Sequence, residues 1–350
     1  MPDDLETPVS GPVSCDFILL FDKGSGSKNV SYFMVDPCNS GRIFPKMNTI
    51  RMNVVKDLSS YKTAVKDNML YIMGGKDWNT GSHIAAMWRF DPVTNQWIQL
   101  SPMITARCRF TAEVIGDFIY IIGGETSSGR ITDSMERYDT TTDTWYECPD
   151  LPRPRADHAS CVLGDRLYVS GGISNLKHQS SDVFWIYEPR SEEWTDTPDD
   201  FHMPRDLEKH SMVPVGASQI YVLKGRGFDK SSCMEKDEET MFIYNEHTTD
   251  TTPRCPLWDT NLPVVSKPCS NGAAFLLGDV IWTIGGRSHQ KDEQVKVVQC
   301  FDTKRRRWRD AFSLPDGNYM NVDVCKLRIS SNNKDFSLMD RFIYKRWIMW

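Results

Sequence analysis

The sequence predicts an all-β fold, a six-bladed propeller with four antiparallel strands per blade, and three observations carry that prediction. Four segments of one kind line up: LYIMGG at 70–75, IYIIGG at 119–124, LYVSGG at 167–172 and IWTIGG at 281–286. Two weaker copies, FILLFDKG at 17–24 and IYVLKG at 220–225, bring the set to six. The second glycines stand at 24, 75, 124, 172, 225 and 286, steps of 51, 49, 48, 53 and 61 residues, close to the ~50-residue period of one class of propeller repeat. Finally, a tryptophan follows an acidic residue by six positions in four copies: Asp91 to Trp97, Asp139 to Trp145, Glu188 to Trp194 and Asp302 to Trp308.

Each part of the repeat has a physical reading. The short apolar runs rich in β-branched residues read as strands buried on both faces. The Gly-Gly pair ends such a strand and permits positive φ and close backbone approach where blades crowd a central channel. The Tyr or Phe before each acidic residue, and the Trp after it, fall on the outer strands, where their apolar area fills the wedge between blades. The intervening turns DPVTNQ, DTTTDT, EPRSEE and DTKRRR are polar turn formers, as hairpins require. The fifth repeat carries Lys224 in place of its first glycine and reaches its Trp258 only after an insertion, and the first repeat has no Trp.

A short strand precedes each Gly-Gly strand in repeats two to six, at 59–65, 109–115, 158–164, 210–216 and 271–277. The first repeat lacks one, and a spare lies at the other end, in NVDVCKLRI at 321–329. The expectation is that this C-terminal strand completes blade one, closing the ring and removing a sheet edge. The organisation read from the chain is an N-terminal segment 1–16, a propeller 17–329 and a tail 330–350, the tail expected to be an ordered or disordered appendage, with a partner-binding peptide as the alternative.

Bulk properties narrow the function. Hydrophobic residues make up 40% of the 350 and charged residues 25%, ordinary for a chain that buries a core. The net charge of −6 argues against general nucleic-acid binding. No apolar run approaches the ~18 residues of a membrane span, and MPDDLETPVSG does not read as a signal peptide. The ten cysteines show neither a CxxC pair nor zinc spacing. They read as small buried hydrophobes in a reducing compartment, so the expected location is the cytoplasm, with the nucleus possible. No metal, cofactor or catalytic residue is expected: there is no P-loop, nucleophile elbow, HExxH or dinucleotide fingerprint, and GSGS at 24–27 reads as a loop.

The Gly-Gly, Tyr-Asp and Trp set, with MxxxR-like segments such as Met103-Ile104-Thr105-Ala106-Arg107, resembles the Kelch repeat over roughly residues 17–329. More narrowly, it resembles the C-terminal propeller of BTB-Kelch (Kelch-like) proteins. In that family a BTB domain dimerises and binds cullin-3, a BACK domain follows, and the propeller selects a target for ubiquitination. Neither upstream domain is visible in this sequence, so cullin-3 enters only if a BTB domain is present elsewhere in a full protein. The resemblance implies a protein-binding module rather than an enzyme. The alternatives are an actin-binding cytoskeletal protein and, less favoured, a copper enzyme of the galactose-oxidase type.

The family's recognition face is built from loops after each Gly-Gly strand and from the segments leading into each blade. Carried over, the post-glycine positions are Lys76, Asp77, Trp78, Glu125, Arg226, Phe228 and Arg287, and the lead-in positions are Arg107, Arg109, Arg155, His158, Lys209 and His210. Arg107 and Arg155 match the MxxxR arginine. Basic residues dominate this set, which suits a protein or peptide ligand that is acidic or phosphorylated, with Trp78 and Phe228 as stacking anchors. The alternatives are that a lead-in arginine bonds loop carbonyls and that Trp78 packs between loops. The run Lys304-Arg305-Arg306-Arg307 reads as a solvated turn rather than a nuclear signal. The acidic run Glu235-Lys236-Asp237-Glu238-Glu239 reads as solvated, its alternative being to fold back onto the basic face.

Overall fold

Six small antiparallel sheets stand around a channel in the computed structural model, which describes residues 14–175, 180–195, 201–229, 234–246 and 257–330. Blade two shows the pattern, with strands Lys62–Lys66, Met69–Met73, Met87–Asp91 and Gln96–Leu100 from the channel outward. Blades three, four, five and six repeat it from the inner strands Thr111–Ile115, Ala159–Leu163, Ser211–Val215 and Ala273–Leu277. Among the described residues helical structure is limited to short 3-10 turns such as Asn53–Val55, and no helix is long and apolar enough to cross a membrane.

Blade one closes the ring as the spare strand required. Its inner strand is Val322–Ser330, antiparallel to Ser14–Asp22, with Asp22 opposite Val322 and Ser14 opposite Ser330. Leu327 and Ile329 from the C-terminal strand are fully buried against Phe17, Leu19 and Phe21 from the N-terminal one. The first and last described strands thus share one sheet, and the inner edge of Ser14–Asp22 is paired.

The apolar residues gather at the blade junctions, because a twisted sheet with both faces covered must bury a stripe on each side. The Gly-Gly strands, buried on both faces, have no alternation to show, and this explains their continuous apolar sequence. The repeated aromatics form directly opposed cross-strand pairs: Phe90 with Trp97, Tyr138 with Trp145, Tyr187 with Trp194, Tyr244 with Trp258 and Phe301 with Trp308. Their ring centroids lie 4.9–5.4 Å apart. Four of these indoles donate their N–H to a carbonyl just beyond the preceding blade: Trp145 to Ser101, Trp194 to Pro149, Trp258 to Phe201 and Trp308 to Pro263. The fifth repeat keeps this register despite its insertion, since Trp258 still faces Tyr244.

The second glycine of each pair makes a sharper demand. Gly124 has φ +104°, and a Cβ there would stand 2.6 Å from the Cys108 carbonyl oxygen. Its N–H donates to the Arg155 carbonyl of the next blade at 2.7 Å. Gly75, Gly172, Gly225 and Gly286 donate likewise to Arg107, Leu207, Cys269 and Tyr319. In the degraded fifth repeat Lys224 adopts φ 61°, the same left-handed conformation as Gly74 or Gly171, and is buried. Of the cysteines, Cys15, Cys108, Cys148, Cys161, Cys269 and Cys300 are buried, Cys325 is half-buried and Cys38 is exposed, all as free thiols. Cys233, Cys255, the segment before Ser14 and the tail beyond Ser330 lie outside the described residues.

Candidate functional site

The two classes of segment read from the repeat meet at one end of the channel. After each Gly-Gly strand the chain turns back and pairs with the lead-in of its own blade. Lys76–Asp77 pairs with Leu58–Ser59, and Glu125–Thr126 with Arg107–Cys108. Single bridges join Ile173 to Ala156, Arg226 to Glu208 and Arg287 to Ser270. A second set of bonds runs around the channel mouth. Arg109, Asp157, Lys209 and Asn271 stand two residues before their inner strands, all with φ between 53° and 58°. The N–H of Asp157 donates to the Arg109 carbonyl, that of Lys209 to Asp157, that of Asn271 to Lys209 and that of Val322 to Asn271, at 2.8–3.1 Å. This ladder fixes where the side chains at the mouth stand.

Those side chains form an alternating chain of charge across four blades. Lys76 Nζ and Arg109 each reach one oxygen of Glu125 at 2.9 Å. Arg109 also pairs with Asp157. Lys209 Nζ lies 3.7 Å from Asp157 and 4.0 Å from Glu208. Arg226 donates through Nε to Glu208 at 2.7 Å and pairs on its other side with Glu235. Burial acts to raise the Glu125 carboxyl, but the hydrogen bonds from Lys76 and Arg109 outweigh it and hold the group below its ordinary range. Asp157, opposed by burial and favoured by Arg109 and Lys209, is lowered in the same way.

This arrangement corrects the expectation of a mainly basic face. Lys76, Arg109, Lys209 and Arg226 are matched by Glu125, Asp157, Glu208 and Glu235. Asp157 occupies in blade four the position of Arg109 and Lys209, so aligning the lead-ins would have found it. Glu208 and Glu235 carry no repeat signal. The acidic run is only partly in solvent: Arg226–Asp229 and Met234–Asp237 form a hairpin that leaves Glu235 and Lys236 exposed, sets Glu235 on Arg226 and buries Asp237. The alternative of folding back is the one the structure adopts for Glu235, because the hairpin register puts it opposite Phe228, two pairs from Arg226 and so on the same face of the ladder.

Four of the thirteen candidate residues point inward. Arg107 is 1% exposed. Its Nη1 donates to the carbonyls of Gly123 and Ser134, both at 2.9 Å, and its Nη2 meets Glu136 at 2.9 Å. It thus bonds loop carbonyls, the alternative left open for a lead-in arginine. Arg155 is buried with its guanidinium 5.0 Å from the centre of the Trp185 ring. Burial, with Arg153 nearby, pulls its pKa down to about 10. His158 and His210 are buried and bond Thr111 Oγ1 at 2.9 Å and Ser170 Oγ at 2.7 Å through Nε2. Burial pushes both imidazoles down to about 3, so both are neutral. These side chains hold the face together from beneath, with His158 and His210 on the wall of the channel.

The solvent-facing residues are Trp78 and Phe228, 53% and 44% exposed, and Arg287, which pairs with Asp292. Asp77 folds its own turn, accepting the N–H groups of Asn79 and Thr80 at 2.9 and 2.7 Å. Below the mouth, the channel opens into a cavity of about 380 Å³ whose lining includes Lys23, Lys62, Glu113, Ser160 and Asp323. Ser160 Oγ donates to Glu113 at 2.7 Å, and burial raises that carboxyl to about 7. At the opposite end of the blades, Lys304 and Arg305 sit in an exposed hairpin, paired with Asp279 and Asp302.

Comparison with known proteins agrees with this geometry. The family model described as the KLHDC2/KLHL20/DRC7 Kelch-repeats domain matches residues 109–317, and a Kelch motif model matches 58–104. Kelch-like protein 26 of Danio rerio is 27% identical over 258 residues, covering 72% of this chain and 40% of that protein. Kelch repeat and BTB domain-containing protein 2 of cowpox virus (strain GRI-90) is 32% identical over 95 residues, covering 26% of this chain and 17% of that protein. The chain therefore spans 40% or less of the length of these two relatives. The solved structure of YjhT superposes with a TM-score of 0.65 at 13% identity, over 84% of this chain and 96% of that one, a likeness of fold.

Proposed function

Because this chain belongs to the Kelch-repeat family, we propose that its loop face captures a protein or peptide ligand, as the recognition module of a cullin-3 type ubiquitin-ligase adaptor. The observation that carries this reading is the contrast within the face. Its charges are already paired with one another, while Trp78 and Phe228 are left in solvent on segments that backbone pairing ties to their own lead-ins, Lys76–Asp77 to Leu58–Ser59 and Arg226 to Glu208. Exposed aromatics on a rigid surface are the usual anchors of an interface. An acidic or phosphorylated segment binds here by displacing Glu125, Asp157, Glu208 or Glu235 from its base, so charge serves selection and the aromatics serve affinity. Similarity to Kelch-like and BTB-containing proteins supports the adaptor role, and the expected location is the cytoplasm or nucleus.

The test is affinity capture read by mass spectrometry, comparing wild type with Trp78→Ala/Phe228→Ala. Both side chains are exposed, so the double variant keeps its melting profile and loses the captured protein. Unchanged capture by a folded double variant would sink the site. Co-purification of cullin-3 with the full-length protein, abolished by removing a BTB region, tests the adaptor role separately.

A further inference from the structure

Three side chains that share no sequence spacing converge at the junction of blades two and three. Cys108 and Glu125 are direct partners across the short ladder of blade three, so their side chains stand side by side. His83 arrives from blade two, where the post-glycine loop bridges it to Lys76. One donor atom from each of His83, Cys108 and Glu125 lies within 4.8 Å of the other two. His83 Nε2 is 3.6 Å from Glu125 Oε1. That nitrogen is buried and makes no hydrogen bond, on a side chain only 7% exposed. A buried polar atom without a partner is costly, and here it is aimed at a thiol and a carboxylate.

We propose that His83, Cys108 and Glu125 form a divalent-metal site of the zinc class that clamps blade two to blade three at the loop face. An imidazole, a thiolate and a carboxylate are the donors zinc takes, with water in the fourth position. Metal–donor bonds of about 2.0–2.3 Å place tetrahedral donors roughly 3.3–3.8 Å apart. His83 and Glu125 already meet that separation, and Cys108 closes the remainder by side-chain rotation. On binding, the Cys108 thiol gives its proton to solvent, and thiolate plus carboxylate neutralise the dication. The competitor is Lys76, whose Nζ sits 2.9 Å from Oε1 of Glu125. Lys76 is 30% exposed and swings outward. Arg109 stays on the other carboxylate oxygen, itself held by Asp157, and becomes the outer partner that orients the ligand. A metal here fixes the loop that carries Trp78 and the arginine at the centre of the charge chain.

Cobalt(II) titration of the reduced, chelator-treated protein tests this. The expected result is a saturable near-ultraviolet thiolate-to-cobalt band that zinc discharges, absent in Cys108→Ala. His83→Gln keeps the band but weakens binding by more than the ~10–100-fold typical of losing an outer partner. Lys76→Met, lacking the competing cation, binds more tightly. No band in the wild type overturns the proposal, as does a band of equal strength in Cys108→Ala, because the chain carries nine other cysteines. Should Cys108→Ala fail to fold, wild-type affinity in both His83→Gln and Glu125→Gln overturns it instead.

Discussion

Replacing Arg107 with methionine separates a buried scaffold from a ligand contact. The side chain is enclosed, with two carbonyls, the Ser134 hydroxyl and Glu136 around its guanidinium at 2.9–3.0 Å. Glu136 is 2% exposed and accepts the Ile104 N–H through its other oxygen at 2.7 Å. Burial pulls the Arg107 pKa down and pushes the Glu136 pKa up, so desolvation outweighs the mutual attraction at both ends. Such a pair adds little net stability, but removing one member strands the other. Arg107→Met should therefore cost about 3–5 kcal/mol, a factor of roughly 10²–10³·⁵ in the folding equilibrium. Adding Glu136→Gln removes the stranded charge and keeps a carbonyl for Ile104. The cost should then fall to about 1–2 kcal/mol, that of the lost carbonyl bonds. Urea unfolding at neutral pH measures both variants, and the folded double variant should retain partner capture. A single variant within about 0.5 kcal/mol of wild type, the range of an ordinary surface change, would refute this reasoning. So would a double variant no more stable than the single.

Other expectations follow from the same structure. A chain ended after Tyr319 loses the strand that pairs with Ser14–Asp22 and, with it, Leu327 and Ile329; it should lose its cooperative transition by circular dichroism, and a wild-type melt would be incompatible with the closure. His158 and His210, held at about 3 against an ordinary imidazole value of 6.5, bind fewer protons folded than unfolded. Their stability is present above about pH 6.5 and falls with pH below it, by roughly 2 kcal/mol each at pH 5; His210→Gln should flatten the urea midpoint between pH 7 and 5. Glu113 has the opposite sign: raised to about 7, it favours the folded state below the ordinary carboxyl range, and that advantage is lost as pH rises through 7. Glu113→Gln should therefore match wild type at pH 4 and exceed it in thermal midpoint at pH 8.

The six-bladed architecture was determined by the sequence alone, because every blade must solve the same packing problem and so repeats the same residues. Gly124 is glycine because a carbonyl stands where a side chain would go, and Trp145 is tryptophan because it spans the wedge to the preceding blade. Even the closure strand was legible, as the one inner strand left over. The site was legible only in outline. Repeat alignment located the lead-ins and post-glycine turns, and these do share one face. Which of their side chains look outward was decided by tertiary structure. Arg107 and Arg109 are two residues apart on one short segment, yet one is sealed beneath the loops and the other faces its neighbours across the channel mouth. The charge balance of the face was legible only in part: Asp157 stands at an aligned lead-in position, but Glu235 reaches Arg226 only through a hairpin. Nor could spacing reveal His83 beside Cys108 and Glu125, three residues from two blades that meet only when those blades pack together. A repeat constrains what every blade needs for packing, and leaves open what the loops of different blades do to one another.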